Sequence, residues 1–345
     1  MKERFKEVGT ATCWVGCLVV SKQWACWRPV VGLLLPMDVA LDLLGLGQPC
    51  QINLILDGVE DRPYAKVNPT ASNREEMQLP LYETRDTVSG RIAVSVKEGK
   101  ALQHQGVRIE FVGLIELLYD RDQSQEFVSL LRELDEPGNI TGTKQYSFAF
   151  TDVEKSYDTY YGLNVQLRYV LRVTIQRQQY SPNIVKEFDL AVQHTQPEPE
   201  VNNSIRMEVG IEDVLHIEFD YDRTKYHTAD VVRGWIYFVI VKIKIKRMEI
   251  EIKRKETAGT AGSNVHNETD IIGKFEVMDG APVRNEKIPI RMFLSAYDNL
   301  TPTYRSVNNM FSVRYFLNLV LVDDDDRRYF KQTEVVLWRA KPQAV

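Results

Sequence analysis

The sequence predicts an all-β protein of two tandem β-sandwich lobes, and three observations support that expectation. From Gln51 onward apolar residues recur at every second position, the side-chain repeat of a strand. Gly, Pro, Asn and Asp fall between these runs, where turns need them. Two pairs of segments repeat at nearly one offset: TVSGRIAVSV (87–96) matches VVRGWIYFVI (231–240), and VQLRYVLRVTI from Val165 matches FSVRYFLNLVL from Phe311. The length of 345 residues agrees, because domains of about 100–200 residues make two the expected number. A net charge of -5 lacks the basic excess of a nucleic-acid binder.

Taken in order, residues 1–48 differ from the rest. Trp14, Trp24 and Trp27 crowd together with Cys13, Cys17 and Cys26 and show no steady period. We expect an atypical extension, with the true start at Met37; an accessory segment is the alternative. All four cysteines precede residue 51, so the body cannot be a disulfide scaffold. The apolar run 11–20 follows Glu3 and Glu7 and precedes no clear cleavage site, unlike a signal peptide. The Asn-X-Ser/Thr triplets at Asn139, Asn202, Asn267 and Asn299 are therefore expected to be chance. No run reaches the roughly 18–20 apolar residues of a membrane span, so the expectation is a soluble, cytosolic protein.

In RIEFVGLIELLYD, Ile109, Phe111, Ile115 and Leu117 share one face and Glu110 and Glu116 the other, a half-buried strand. FVSLLREL (127–134), stopped by Pro137 and Gly138, is expected to form the one short helix. QPEPEVNNS (196–204) can sustain neither helix nor strand and is the expected linker. The expected organisation is thus an extension at 1–48, a first sandwich at 49–195, the linker at 196–204 and a second sandwich at 205–340. LHIEFDYD resumes the alternation, with Leu215, Ile217, Phe219 and Tyr221 inward. In VIVKIKIKRMEIEIK the apolar parity switches between Ile245 and Met248. One strand with a β-bulge near Lys246 and Arg247 would do this. The stripe Lys242, Lys244 and Lys246 has two readings, an exposed charged face or a contact for anionic lipid or an acidic partner.

VMDGAPVRNEKIPIRMF (277–293) centres on turn residues edged by Val277, Met278, Val283 and Ile288. Turns run over the surface, so either this chain or another must cover those apolar groups. The acidic run 323–326 followed by Arg327 and Arg328 reads as a hairpin tip with solvated charges rather than a cation site.

Convergent catalytic chemistry is missing from the pattern. The five histidines show no metal-ligand spacing, and neither a phosphate-cradling glycine loop nor a nucleophile elbow occurs. The expectation is a protein with no catalytic residues, no metal and no cofactor.

Several long segments then resemble the vacuolar protein sorting-associated protein 26 family, the arrestin-like subunit of the endosomal retromer complex. They are VNNSIRMEVGIEDVLHIEFDYDRTKYH, MDGAPVR, IPIRMFLSAYDNLTPT and FSVRYFLNLVLVDDDDRRYFKQTEVVLWR, with HQGVRIEFVG and FVSLLRELDEPG in the first lobe. Residues 1–36 have no counterpart, and Val214 stands where the family pattern has cysteine. The resemblance implies two arrestin-like, immunoglobulin- or fibronectin-like lobes acting as a non-enzymatic adaptor. It implies docking onto a long helical-solenoid scaffold subunit through Val277, Met278, Asp279, Gly280, Ala281, Pro282, Val283 and Arg284. Sorting-signal peptides of transmembrane cargo would be held beside a sorting nexin at Val209 and Phe330. The chain would lie in the cytoplasm, peripheral on the cytosolic face of endosomes, retrieving transmembrane proteins to the Golgi or plasma membrane. Two alternatives stand beside this one: another arrestin-like adaptor that grips receptor tails without the scaffold, and a secreted glycan-binding sandwich.

Overall fold

The structure is a computed structural model that describes residues 49–67, 77–119, 124–178, 181–211, 213–259 and 265–340. The expectations for residues 1–48 lie outside them. The first lobe contains β1 (Cys50–Leu56), β2 (Tyr64–Val67), β3 (Met77–Glu83), β4 (Val88–Val96), β5 (Ala101–His104) and β6 (Gly106–Leu117). It continues with β7 (Ser124–Asp135), β8 (Gly138–Thr141), β9 (Thr143–Phe150), β10 (Tyr160–Tyr161), β11 (Val165–Gln176) and β12 (Ile184–Gln193). One face is the sheet β1-β4-β9, the other β2-β3-β12-β11-β6-β7, with β10 beside β11 and a small β5-β8 pair.

The second lobe begins with β13 (Ile205–Ile211), β14 (Leu215–Tyr221), β15 (Lys225–His227), β16 (Val231–Val241) and β17 (Ile245–Ala258). Then follow β18 (His266–Asp279), β19 (Lys287–Phe293), β20 (Tyr304–Val307), β21 (Phe311–Asp323) and β22 (Arg328–Trp338). Here β13-β14-β16-β19 faces β15-β22-β21-β17-β18, with β20 beside β21. Among the described residues no strand pairs across 194–204.

The internal repeat has a physical cause. Gly90 on β4 and Gly234 on β16 sit where the neighbouring strand crowds in: an added Cβ would strike the carbonyl oxygen of Ile55 in one lobe and of Asp220 in the other. The paired tyrosines are equally matched. Buried Tyr169 on β11 donates its hydroxyl to the Tyr157 carbonyl (2.9 Å) and accepts from the Tyr157 amide (3.3 Å). Buried Tyr315 on β21 accepts from the Thr301 amide (3.1 Å). In each lobe a tyrosine fastens the preceding loop to the core.

Two expectations are corrected. Residues 127–134 are strand, not helix, because β6 offers a long ladder and β7 completes it from Val107 to Glu116. Gly113 leaves room for the Phe127 ring, which an added Cβ would strike. Cross-strand pairing overrides a local pattern of helical spacing. The lysine-rich segment is not one bent strand. β16 ends at Val241 in one sheet and β17 starts at Ile245 in the other. The register shift does fall between Ile245 and Arg247, where β17 meets β21.

Most buried apolar side chains of both lobes form one cluster, and polar groups bridge the seam. Glu256 of β17, 2 % exposed, accepts from Tyr160 Oη (2.7 Å), the Leu163 amide (3.1 Å) and the Asn164 amide (2.7 Å). The Tyr160 ring stacks on Phe311 at 6.0 Å. Asp158 pairs with Arg339 Nε at 3.3 Å, and Tyr304 Oη donates to the Asp158 carbonyl at 3.2 Å. Burial pushes the Asp158 carboxyl up to about 6, against the pull of Arg339 and the His194 amide.

Candidate functional site

The turn between β18 and β19 joins the edge of one sheet to the edge of the other. β18 reaches it through a bulge. Met248 pairs with Met278 and Glu249 with Glu276, so Val277 is the extra residue. A bulge turns side chains off the regular alternation, and both Val277 and Met278 end half-buried, packed against the lobe's own core. Of the two covers that the sequence left open, this chain supplies part of the one for Val277 and Met278.

What projects is Val283, 66 % exposed, while its neighbour Pro282 is buried. The turn is held from several directions. The Gly280 amide donates to the Lys246 carbonyl (2.8 Å) and the Asn285 amide to the Phe238 carbonyl (2.7 Å), while the Phe238 amide returns to Glu286 O (3.0 Å). Glu286 also clasps the turn internally, since its carboxylate accepts from the Val283 amide at 2.7 Å and its amide donates to the Val283 carbonyl at 3.1 Å. Gly280 has φ 107°, a conformation L side chains rarely adopt, yet an added Cβ would meet no atom within 4 Å. Backbone conformation, rather than crowding, requires glycine there. Asp279, Ala281 and Arg284 are exposed.

The charges around this tip largely cancel. Lys244 pairs with Asp324 (2.7 Å) and Lys246 with Asp326 (3.0 Å), while Arg327 closes on Asp323 (2.9 Å). Asp324 to Arg327 form the turn between β21 and β22. Its acids are therefore committed to Lys and Arg partners. Among the described residues no group of His, Cys, Asp and Glu converges as metal ligands.

The other candidate pair lies on the open side of the same lobe. Val209, half-buried on β13, packs against the core, whereas Phe330 on β22 is 67 % exposed. The two residues belong to different sheets. Their strands meet where Thr333 Oγ1 donates to Met207 Sδ at 2.7 Å. β13 is an edge strand, and β15 covers β22 only at Val336 to Trp338, so the stretch holding Phe330 also has an open edge.

Sequence reasoning missed the seam. A signal existed: Glu256 continues the inward parity of Met248, Ile250 and Ile252, so a carboxylate stood at a core position. The triplet at Asn202 is engaged structurally, its Nδ2 donating to the Lys225 carbonyl at 2.7 Å. No helix of the described residues is long and apolar enough to cross a membrane.

Comparison with known proteins agrees with this architecture. The family model for vacuolar protein sorting-associated protein 26 matches residues 46–326. Vacuolar protein sorting-associated protein 26B of Mus musculus is 52% identical over 300 residues, covering 87% of this chain and 88% of its own. Vacuolar protein sorting-associated protein 26 of Dictyostelium discoideum is 51% identical over 294 residues, 85% of this chain and 83% of that one. The Arabidopsis thaliana 26B protein is 50% identical over 303 residues, 88% and 98%. With a two-lobed all-β fold and similarity along most of its length, this chain belongs to the vacuolar protein sorting-associated protein 26 family.

Proposed function

We propose that the chain is a non-enzymatic adaptor of a retromer-type sorting complex. Its second lobe docks on a helical-solenoid scaffold subunit through the turn Val277 to Arg284. Residues 49–195 and 205–340 are the working lobes and 196–204 their joint. The observation that carries the reading is a turn anchored by backbone bonds to Lys246 and Phe238 that displays one bare apolar side chain, Val283, beside Arg284. A rigid apolar knob with a directional cation suits a small desolvated contact. Val277 and Met278, packed on the core at the start of the turn, add the part of their surface that remains open.

Cargo peptides, in this reading, enter at the open edges of β13 and β22, next to Val209 and Phe330, with a sorting nexin completing the site. An extended peptide can add to such an edge and seat alternate side chains in pockets. The adaptor works peripherally on the cytosolic face of endosomes.

The decisive variant is Val283→Asp. Because Val283 is exposed, the lobe keeps its thermal midpoint. Burying an unpaired carboxylate against the scaffold costs several kcal/mol, roughly a thousandfold or more in affinity. Retained capture of the scaffold by folded Val283→Asp would remove the assignment. Met278→Asp is a poorer test, since Met278 also packs on the core.

A further inference from the structure

The outer face of the sheet β13-β14-β16-β19 holds a feature that the docking turn does not use. On β19 the outward residues are Lys287, Pro289, Arg291 and Phe293, and on β16 they include Arg233 and Trp235. The register sets Arg233 directly opposite Arg291. Like charges facing each other across two strands are destabilising, and neither guanidinium is paired with a carboxylate. Among the described residues neither arginine nor Lys287 forms an ion pair with an acid.

The same face does contain acids, but they lie on the other two strands. Glu208 is on β13, Glu218 and Asp220 are on β14, and Asp222 follows β14; Asp220 Oδ1 accepts from the Trp235 amide at 3.0 Å and Asp222 Oδ1 from the Arg233 amide at 3.2 Å. Arg206 on β13 shares this face opposite Asp220, whereas the outward positions of β16 and β19 carry cations and no acid. Two aromatic side chains stand among them, Trp235 44 % and Phe293 48 % exposed. The Lys287 ammonium sits 4.2 Å from the Trp235 ring centre and the Arg291 guanidinium 5.4 Å from that of Phe293.

We infer that this face, formed by Arg233, Trp235, Lys287, Arg291 and Phe293, is a contact surface for an anionic phospholipid membrane. Three unpaired cations complement clustered lipid phosphates and serines, which relieve the Arg233–Arg291 repulsion. Amphipathic aromatic rings favour the headgroup layer. A strand-added acidic peptide fits less well. The ladder bond from the Phe238 amide to the Glu286 carbonyl assigns the even residues of β19 to β16. Pro289 therefore faces the open edge, where it has no N–H to offer. The contrast with the lysine stripe is direct, since Lys244 and Lys246 are already neutralised by Asp324 and Asp326.

The surface extends the adaptor reading without depending on scaffold docking, because it uses a different face. The test is co-sedimentation of the full chain with vesicles of phosphatidylcholine alone or with phosphatidylserine, at low and at physiological salt. The native chain should bind the phosphatidylserine vesicles and be released as salt screens the charges. Arg233→Gln with Arg291→Gln should weaken binding about 25-fold, roughly fivefold per arginine. Trp235→Ser with Phe293→Ser should weaken it while leaving the salt dependence intact. Lys244→Gln and Val283→Asp should bind as the native chain does. Failure of the native chain to bind anionic vesicles would overturn the inference, as would native-like binding by both double variants. Capture by polyglutamate in place of vesicles would overturn it in favour of an acidic protein.

Discussion

Replacing Glu256 by alanine tests whether the two lobes are locked by one buried carboxylate. Glu256 satisfies three donors that belong to the other lobe, the Tyr160 hydroxyl and the Leu163 and Asn164 amides. A donor left without a partner in the interior costs about 1–3 kcal/mol. Tyr160 is 1 % exposed and has no access to water, so its hydroxyl accounts for about 2 kcal/mol. The amides are only partly buried, and water can replace some of what they lose, so about 1 kcal/mol each is appropriate. The expected loss is about 4 kcal/mol, a large share of the roughly 5–15 kcal/mol that holds a folded domain together. Urea unfolding followed by tryptophan fluorescence and by circular dichroism reads it. Tyr160→Phe alone should cost about 1 kcal/mol. In the double variant most of that cost should vanish, a coupling of about 1 kcal/mol between residues on different lobes. A loss below about 1 kcal/mol for Glu256→Ala, or strict additivity with Tyr160→Phe, would show that the seam rests on apolar packing alone.

Three further outcomes follow from the same geometry. Asp158 has a folded pKa raised to about 6 above an ordinary value of 3.8, so the folded state holds its proton more tightly than the unfolded chain. Its contribution to stability therefore rises as pH falls from about 6 towards 4 and is lost as pH rises through about 6, by at most about 3 kcal/mol. Asp158→Asn should flatten that part of the stability curve relative to the native chain, as read by urea midpoints at each pH. Gly90→Ala and Gly234→Ala place a methyl group against a neighbouring backbone carbonyl and should each cost about 1–3 kcal/mol in thermal unfolding. Gly280→Val meets no steric obstacle but strains a positive φ. It should cost about 1–2 kcal/mol locally and weaken scaffold capture more than it lowers the lobe's midpoint.

How much of this was legible depended on whether a residue's role was set by its neighbours in sequence or across space. The alternation of Leu215, Ile217, Phe219 and Tyr221 reports burial on one sheet face, and all four are buried. The repeated glycines could be matched by eye, although only the strand packing explains why Cβ is forbidden there. The segment 127–134 failed because Phe127, Leu130, Leu131 and Leu134 recur at a helical spacing, and nothing local shows that β6 lacks a partner. The crossing at 242–244 failed for a similar reason: a switch in parity reads alike whether one strand bulges or the chain changes sheets. At the turn 277–284 the sequence showed apolar residues edging turn chemistry but not which of them the fold would leave exposed. Val277 is the extra residue of a bulge that only the pairing with β17 reveals, and the apolar residue left bare is Val283 rather than Met278.

The distribution of unpaired groups then separates stability from recognition. Inside the seam, Glu256 meets every donor that points at it, as a buried carboxylate must if the fold is to hold. At the tip, Lys244, Lys246 and Arg327 are each paired with an aspartate, so the rim contributes little net field and the apolar projection of Val283 dominates what a partner meets. On the outer sheet the reverse holds. The side chains of Arg233, Lys287 and Arg291 form no ion pair although acids stand on the β14 side of the same sheet, at a cost to the isolated lobe. A surface that cancels its charges around one apolar knob favours a dry protein contact, whereas one that leaves three cations among aromatic rings favours a hydrated anionic layer. The two faces of the second lobe are therefore suited to different partners at the same time, and Val283→Asp and the Arg233/Arg291 double substitution should impair them independently.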